Sequence, residues 1–192
     1  MEKTDTQLIE DYLNGDKNVF DEIVNRYLKT VYNFVYRLVG NTKEAEDITQ
    51  EVFLKVWKNL KKFDREKSFK TWIFSIAKNT AIDFLRKRKD IPISFFDNDD
   101  EENFLENTLI DEEPLADKVI ELEYNKKEIE KVMLDLTVVQ REVIILKYLN
   151  EMSLSEVSEI MNIPKETVKS HHRRALIKMK KKLESSAPKL SK

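Results

Sequence analysis

Residues 61–89 combine cations and aromatic rings in a way that suits nucleic acid. The segment reads KKFDREKSFKTWIFSIAKNTAIDFLRKRK and holds ten basic, three acidic and five aromatic residues. Lysine and arginine neutralise phosphates, and aromatic rings can stack on bases that have left a duplex. The same composition also fits an ordinary amphipathic helix with its rings in a core and its lysines in water. The rest of the chain has to decide between these two interpretations.

The charge of the chain is strongly segregated along the sequence. A formal net charge of −2 conceals a sum of +7 over residues 61–89, +6 over residues 162–184 and −10 over residues 90–113. Two basic surfaces separated by an acidic segment do not favour tight binding of the whole molecule to duplex DNA. They indicate two local surfaces for an anionic partner.

Composition predicts an all-α protein. The 192 residues include two glycines, four prolines and no cysteine, and 36% of them are charged. Few helix breakers among many Lys, Glu, Leu and Ile residues favour helices. Without cysteine the chain has neither a disulfide framework nor a thiolate metal site. The N-terminus is acidic and polar, and no apolar run approaches the roughly 18 residues of a membrane span, so we expect a cytoplasmic protein without membrane insertion.

Helical periodicity divides the chain into two small domains. Helical patterns cover about residues 16–39, 42–60 and 68–88, and they resume at about residue 115. Capping boxes begin at Thr4, Thr137 and Ser153. We therefore predict domains over residues 1–89 and 114–184, a flexible acidic linker over 90–113 and a tail over 185–192. The apolar pieces of the linker suggest that it docks on something; the alternative is that it serves only solubility and spacing.

The C-terminal residues have the pattern of a helix-turn-helix. A capped short helix after Ser153 is followed by the turn Asn162-Ile163-Pro164 and by a basic helix. In this motif the second helix enters the major groove and its first residues meet base edges. The candidates for base contacts are Lys165, Glu166, Thr167, Lys169, Ser170, His171, Arg173 and Arg174. The alternative is a helical hairpin that only looks like the motif.

Two adjacent histidines in this last helix do not form a metal site. Neighbouring residues face different ways on a helix, so His171 and His172 cannot ligate one ion together. His172 lies on the side of Val168 and Ala175, which predicts a partly buried, neutral imidazole. We predict no metal and no cofactor.

Two earlier helices carry further candidate surfaces. Asp47, Gln50, Glu51 and Leu54 share one face of the helix over 42–60, and this face is either a protein-docking ridge or plain solvated surface. The helix over 68–88 has a core stripe that includes Phe69, Ile73 and Phe84. Its predicted outward side holds Thr71, Ser75, Lys78, Asn79 and Arg86.

Three long motifs, in this order, resemble a known family. They are AEDITQEVFLKVWKNL, FKTWIFSIAKNTAIDFLRKRK and LDLTVVQREVIILKYLNEMSLSEVSEIMNIPKETVKSHHRRA. They resemble bacterial sigma factors, and the compact two-domain size is similar to the extracytoplasmic-function (ECF) class of the sigma-70 family. The resemblance covers about residues 16–89 and 125–183.

The resemblance implies a role for each domain. In this family the first domain binds core RNA polymerase and melts the −10 promoter element, and the second domain reads the −35 element as duplex. The resemblance places the ridge of Asp47, Gln50, Glu51 and Leu54 on the polymerase. It implies a pocket for a flipped base at the loop Phe63–Ser68 with Phe69 and Asn79, and phosphate contacts from Lys70, Lys78, Arg86, Lys87 and Arg88. Trp72 stays open between packing and a DNA contact.

The implied function is promoter selection without catalysis. The expected partners are core RNA polymerase, promoter DNA and an anti-sigma factor, since members of the class often have one. The rival interpretation is a stand-alone helix-turn-helix regulator that binds operator DNA without polymerase. A purely structural helical scaffold would require both basic surfaces to be accidental.

Overall fold

The computed structural model describes residues 3–88 and 126–186, and all regular structure within these ranges is helical. The N-terminal domain consists of α1 (Asp5–Leu13), α2 (Val19–Val39), α3 (Thr42–Asn59), a 3₁₀ turn (Leu60–Lys62) and α4 (Phe69–Lys87). The C-terminal domain consists of α5 (Lys126–Leu134), α6 (Val138–Ile144), a π-helical turn (Ile145–Leu149), α7 (Leu154–Met161) and α8 (Lys165–Ser186). The prediction of two small helical domains is confirmed.

Some sequence predictions fall outside the described residues. The acidic linker over 90–113 and the helical pattern from residue 115 to residue 125 belong to this group. Helix α8 continues to Ser186, two residues beyond the predicted end of the domain. In the ranges 3–88 and 126–186, none of the helices combines the length and the apolar character that a bilayer crossing requires.

Local capping chemistry sets the helix ends, as the sequence predicts. The backbone N–H of Gln7 donates to Thr4 Oγ1 at 3.3 Å, and the N–H of Thr4 donates back to Gln7 Oε1 at 2.8 Å. Thr137 and Ser153 form the same reciprocal capping boxes at the starts of α6 and α7. Gly40 after α2 and Asn162 after α7 adopt left-handed backbone conformations, with φ values of 75° and 55°. Residues that tolerate positive φ therefore end both helices.

The core of the N-terminal domain lies between α2, α3 and α4. Phe34 of α2 and Phe74 of α4 are almost fully buried, and their rings meet edge to face with centroids 5.4 Å apart. Val52 and Val56 of α3 close the same core. Helix α1 packs on α2. This arrangement fixes α4, the basic helix, against the rest of its domain.

Arg141 organises the C-terminal domain from inside. Its side chain is buried, and its guanidinium donates to the backbone carbonyls of Met133, Leu134 and Leu136 at 2.9, 3.2 and 3.3 Å. These carbonyls lie at the end of α5 and in the turn before α6, where helix ends leave acceptors unpaired. The planar fork of donors thus ties α5 to α6.

Helix α4 is covered on two sides, because the C-terminal domain packs on it. Helices α2 and α3 cover one side and α7 covers the other. The prediction that Thr71 faces outward is wrong: its side chain is 2% exposed. Periodicity within one domain cannot show that a second domain covers the opposite face.

The contact between the domains is both polar and apolar. Lys70 Nζ donates to the carbonyl of Asn150 at 2.7 Å, and Arg141 Nη1 donates to the carbonyl of Leu38 at 3.3 Å. Val138 of α6 packs with Ile82 and Leu85 of α4. We refer to this contact as the interdomain seam. It matters for function because α4 also carries the cations that the sequence assigns to DNA.

Candidate nucleic-acid and protein interfaces

The basic residues of α4 split into a covered group and an exposed group. Lys70 is engaged at the interdomain seam through Asn150, and the half-buried Lys78 donates to Asn79 Oδ1 at 3.2 Å. Arg86 and Lys87, at the end of the helix, are exposed. Their position in the last turn suits the negative end of the helix dipole. The exposed cations of α4 are therefore concentrated at its C-terminal end.

Arg88 follows directly and is held by an acidic side chain. Its Nη1 donates to both carboxylate oxygens of Glu44, at 2.8 and 2.7 Å. Both side chains remain partly exposed, so this ion pair contributes little to stability. It does orient the guanidinium next to Lys87.

Phe63, Phe69 and Trp72 form an aromatic cluster at the start of α4. The ring centroids of Phe63 and Phe69 are 5.4 Å apart, and those of Phe63 and Trp72 are 5.0 Å apart. Phe63 is 9% exposed and Phe69 is 4% exposed, whereas Trp72 is half-buried. The sequence left Trp72 open between packing and a DNA contact. The structure shows the packing, since its ring lies against both phenylalanines.

A small polar cavity of about 300 Å³ opens beside this cluster. One side of it is the loop and the first residue of α4, and the other side is the start of α1. The lining residues are Thr4, Asp5, Thr6, Ile9, Phe63, Arg65, Lys67, Ser68 and Phe69. The structure thus brings together Phe63, Ser68 and Phe69, three residues of the pocket that the family resemblance implies.

Asn79 does not line this cavity. It lies about three turns further along α4, where it is exposed and accepts the hydrogen bond from Lys78. Ser68 also has a structural role, because its Oγ accepts the N–H of Thr71 at 3.3 Å and caps α4. The position of the cavity therefore depends on the cap that starts the helix.

A second, larger concavity lies between α2 and α3. It has a volume of about 990 Å³ and its walls are mostly apolar. We call it the α2–α3 groove, and its lining residues are Phe20, Val24, Asn25, Leu28, Lys29, Tyr32, Glu46, Thr49, Gln50, Phe53, Leu54 and Trp57. Three of these side chains are large, apolar and exposed: Leu28 at 44%, Leu54 at 54% and Trp57 at 50%.

The predicted docking ridge borders this groove. All four residues of the ridge are exposed, and Gln50 and Leu54 line the groove directly. Glu51 is paired with Lys55 at 2.8 Å within the same helix. The sequence prediction missed Trp57 and Leu28. The signal for Trp57 was available, since it lies three residues after Leu54 and continues the same face.

Helix α8 presents its first turns as the motif predicts, with one correction. Lys165, Glu166, Lys169, Arg173 and Arg174 are exposed, and Thr167 and Ser170 are half-buried. Lys169 Nζ lies 2.8 Å from Glu166 Oε1. His171 is only 9% exposed, which contradicts its assignment to the base-reading face. The reason is that it lies three residues after the buried Val168, on the same packed stripe.

His172 is partly buried, as predicted. Its Nε2 lies 2.9 Å from the hydroxyl of Tyr148, and the two rings are stacked with centroids 5.6 Å apart. Burial lowers the pKa of His172 below its usual value, and the nearby Lys147 lowers it further. The imidazole is therefore neutral at physiological pH. Across the part of the chain that the structure describes, no three potential metal ligands cluster together.

Glu142 of α6 is a buried acid opposite the basic face of α4. It is 2% exposed, and its Oε1 makes no hydrogen bond within residues 3–88 and 126–186. Burial raises the pKa of Glu142 to about 7, while the charges of Lys78 and Arg86 act in the opposite direction. Two cations that the sequence assigns to DNA thus face an acid of the other domain.

Comparison with known proteins identifies the family. Residues 23–91 match the family Sigma-70 region 2, and residues 126–179 match the family Sigma-70, region 4. The chain is 36% identical over 187 residues to the ECF RNA polymerase sigma factor SigW of Bacillus subtilis strain 168. That similarity covers 95% of this chain and 98% of SigW.

Two solved structures share the fold. CnrH, in complex with the cytosolic domain of CnrY, has a TM-score of 0.69 and 20% identity, covering 95% of this chain and 99% of CnrH. The sigma factor RpoE of Bartonella quintana, in complex with the anti-sigma factor NepR, has a TM-score of 0.65 and 23% identity, covering 88% of this chain and 98% of RpoE. Since SigW is similar over both domains and both regions match, the chain belongs to the ECF class of sigma-70 RNA polymerase sigma factors.

Proposed function

We propose that this sigma factor divides promoter recognition between its two domains. As a member of the family it directs promoter-specific initiation by RNA polymerase. In our proposal the N-terminal domain captures the −10 element as a melted strand, and the C-terminal domain reads the −35 element as duplex. The observation that carries this proposal is the polar cavity beside the aromatic cluster of Phe63, Phe69 and Trp72, at the start of a basic helix.

The cavity has the properties that strand capture requires. Pulling a base out of a stack costs a few kcal/mol, and stacking plus hydrogen bonds to the edge of the base return that free energy. Phe63 and Phe69 supply an apolar wall, and Arg65 and Lys67 supply cations for the phosphates. Polymerase binding and capture of the strand together can therefore drive melting without ATP. Arg86, Lys87 and Arg88 would hold the backbone further along α4.

The first turns of α8 have the properties that duplex recognition requires. Lys169, Arg173 and Arg174 are exposed on one short stretch of a helix-turn-helix. Arginine and lysine can hold phosphates or pair with guanine in the major groove. His171 is not part of this reading surface, because it packs on the same stripe of α8 as the buried Val168.

The α2–α3 groove is the proposed surface for core polymerase. An exposed leucine and an exposed tryptophan beside a polar rim are typical of interface anchors. The acidic and amide side chains of Asp47, Gln50 and Glu51 form part of that rim. A helix of the polymerase that presents an apolar stripe would fit this groove.

The described arrangement is a closed form of the sigma factor. Lys70 is engaged with Asn150, and Lys78 faces Glu142 across the interdomain seam. These cations can hold phosphates only when the C-terminal domain leaves α4. We propose that polymerase binding separates the domains, and that the acidic linker, outside the described residues, spans them in the complex.

An anti-sigma protein is the proposed regulator. CnrH and RpoE, which share this fold, are seen in complex with CnrY and NepR. A partner of that kind could keep the closed form or cover the α2–α3 groove. Since its proposed partners are core RNA polymerase and promoter DNA, we propose a cytoplasmic location and a role without catalysis of its own.

Reconstitution with core RNA polymerase tests the proposed division of labour. Holoenzyme is used to select promoters from a random library, and open complexes are then followed on duplex and on pre-melted versions of a selected promoter. Lys67→Ala is expected to lower open-complex formation on duplex and to leave binding of core polymerase unchanged. Equal rates of opening for Lys67→Ala and wild type would argue against the cavity as the site of strand capture.

Replacing Lys169 or Arg174 with alanine is expected to weaken recruitment to the −35 element. A base-reading side chain contributes about 1–3 kcal/mol, and a phosphate contact reduces the salt slope by about 1. Binding of holoenzyme to a duplex −35 fragment, measured over a salt series, separates the two roles. Lys178→Ala, at an exposed site further along α8, serves as the control. Unchanged affinity and slope in both variants would count against α8 as the reading helix.

A further inference from the structure

The polar cavity has a second wall that the loop does not provide. Thr4, Asp5 and Thr6, at the start of α1, line it opposite Arg65 and Lys67. A base that entered the cavity would therefore meet two different chemical environments. Cations lie on the loop side, and a carboxylate with two hydroxyls lies on the α1 side.

Asp5 is held in place by two residues of α2. Arg26 Nη1 donates to Asp5 Oδ1 at 2.5 Å, and the hydroxyl of Tyr27 donates to Asp5 Oδ2. The guanidinium also donates to the carbonyl of Lys3 at 2.6 Å. The side chain of Asp5 keeps 28% of its surface exposed. A carboxylate oxygen has more than one lone pair, so a fixed Asp5 can still accept from a ligand.

The same contacts connect Asp5 to the aromatic cluster. The ring of Tyr27 meets Phe69 edge to face, with centroids 5.5 Å apart. Burial raises the pKa of Tyr27 well above its usual value, and the hydrogen bond to Asp5 raises it further. Tyr27 therefore stays a donor toward Asp5 at every physiological pH. The two walls of the cavity are thus joined through the core and cannot move independently.

A fixed carboxylate discriminates between bases by their exocyclic groups. Cytosine, adenine and guanine carry an exocyclic amine that can donate to a carboxylate, whereas thymine has no amine and its one ring donor, N3–H, lies between two carbonyl oxygens. A thymine carbonyl facing Asp5 would oppose two acceptors, and the lone pairs that Arg26 and Tyr27 leave free would lose water without gaining a donor. A site built to pair with a donor rejects the analogue that lacks it.

We propose that Asp5 is a specificity-determining residue of the cavity, where it accepts a hydrogen bond from the exocyclic amine of the captured base. This inference rests on the proposed function, in which the cavity captures a base of the melted −10 strand. It assigns to α1 a part in promoter choice, and it predicts that the cavity prefers a base with an exocyclic amine to thymine.

The test uses wild-type holoenzyme and a promoter that this holoenzyme has selected, prepared as pre-melted duplex. Each non-template −10 position is replaced in turn by an abasic site or by a base analogue that lacks the exocyclic amine. We expect one position at which loss of the amine weakens wild-type binding about 5- to 150-fold, the range for one good base contact. At that position, removal of the amine should weaken binding of Asp5→Asn by less than about a third of the factor found for the wild type.

Asp11→Asn is the matched control. Asp11 also lies on α1 and also forms an ion pair, with Lys3 at 2.8 Å, but it does not line the cavity. It should respond to amine removal as the wild type does. Because the analogue series on wild-type protein requires no substitution, it can overturn the proposal even if Asp5→Asn destabilises the domain.

The outcomes separate this inference from the proposed function. If abasic sites at every −10 position leave binding unchanged, base capture itself is wrong. If abasic sites weaken binding but removal of an amine never does, capture stands and the role of Asp5 is overturned. Equal sensitivity of wild type and Asp5→Asn to amine removal would also overturn it.

Discussion

Leu54→Glu is expected to weaken binding of core RNA polymerase about 30- to 900-fold. Leu54 is 54% exposed and lines the α2–α3 groove together with Trp57, which is 50% exposed. Large apolar anchors that become buried at the centre of an interface contribute about 2–4 kcal/mol, which corresponds to that range of affinity. A glutamate at this position would also place a charge in an apolar contact without a partner.

The affinity for core polymerase can be measured with a fluorescent label. The native chain has no cysteine, so one cysteine introduced at an exposed site takes the dye uniquely. Lys58→Glu is the control, because it adds the same carboxylate to an exposed site of α3 that does not line the groove. A dissociation constant for Leu54→Glu within about threefold of the control would show that the polymerase binds elsewhere.

Glu142→Gln is expected to keep the interdomain seam closed at neutral pH. In this variant the equilibrium between closed and open forms should no longer depend on pH. Glu142 is buried between α6 and the basic face of α4, opposite Lys78 and Arg86. Burial raises its pKa to about 7 from 4.5, and this effect exceeds the attraction of the two cations. The charged carboxylate thus opposes closure, and a neutral amide of the same shape does not.

The sign of the pH dependence follows from the direction of this shift. A carboxyl group with a raised pKa binds its proton more tightly in the closed form than when the domains part or unfold. Closure is therefore favoured fully below pH 4.5 and becomes less favourable as the pH rises through about 7. Over this window the closed form loses about 3 kcal/mol at most. A change from acidic to neutral pH thus promotes opening.

The distance between the domains can be followed with two dyes. The dyes are attached to cysteines that replace Lys58 and Lys178. Both residues are exposed, and one lies in each domain. Energy transfer in the wild type should fall between pH 5 and pH 8, whereas Glu142→Gln should keep high transfer throughout. Glu159→Gln, an exposed acid of α7, should behave as the wild type. A wild-type signal that rises with pH would contradict the role of Glu142.

Local chemistry in this chain is readable from the sequence. The structure has several local features at the positions that the sequence predicts. They are the capping boxes at Thr4, Thr137 and Ser153 and the helix-ending residues Gly40 and Asn162. Each depends on residues only a few positions apart, so no knowledge of the fold is required. The same holds for the helix-turn-helix, whose turn and caps are contiguous.

The rest of the site depends on contacts that periodicity does not encode. Thr71 and His171 are buried although helical spacing placed both on outer faces. Asp5 joins the cavity although it is 58 residues from Phe63 in the chain. Glu142 looks like an ordinary acid until the fold buries it within reach of the charges of Lys78 and Arg86. A single sequence carries the amphipathic pattern of each helix, but not the second surface that packs on it.

Site-specific photocrosslinking in the complete initiation complex tests directly whether the two domains contact different promoter elements. A photoreactive phenylalanine replaces Lys67 beside the cavity in one variant and Arg173 on α8 in another. We expect position 67 to crosslink to the non-template −10 strand only after the promoter opens, and position 173 to crosslink to the −35 duplex before and after opening. Crosslinks from position 67 to duplex −35 DNA, or none to the −10 strand in open complexes, would contradict the division of promoter recognition between the two domains.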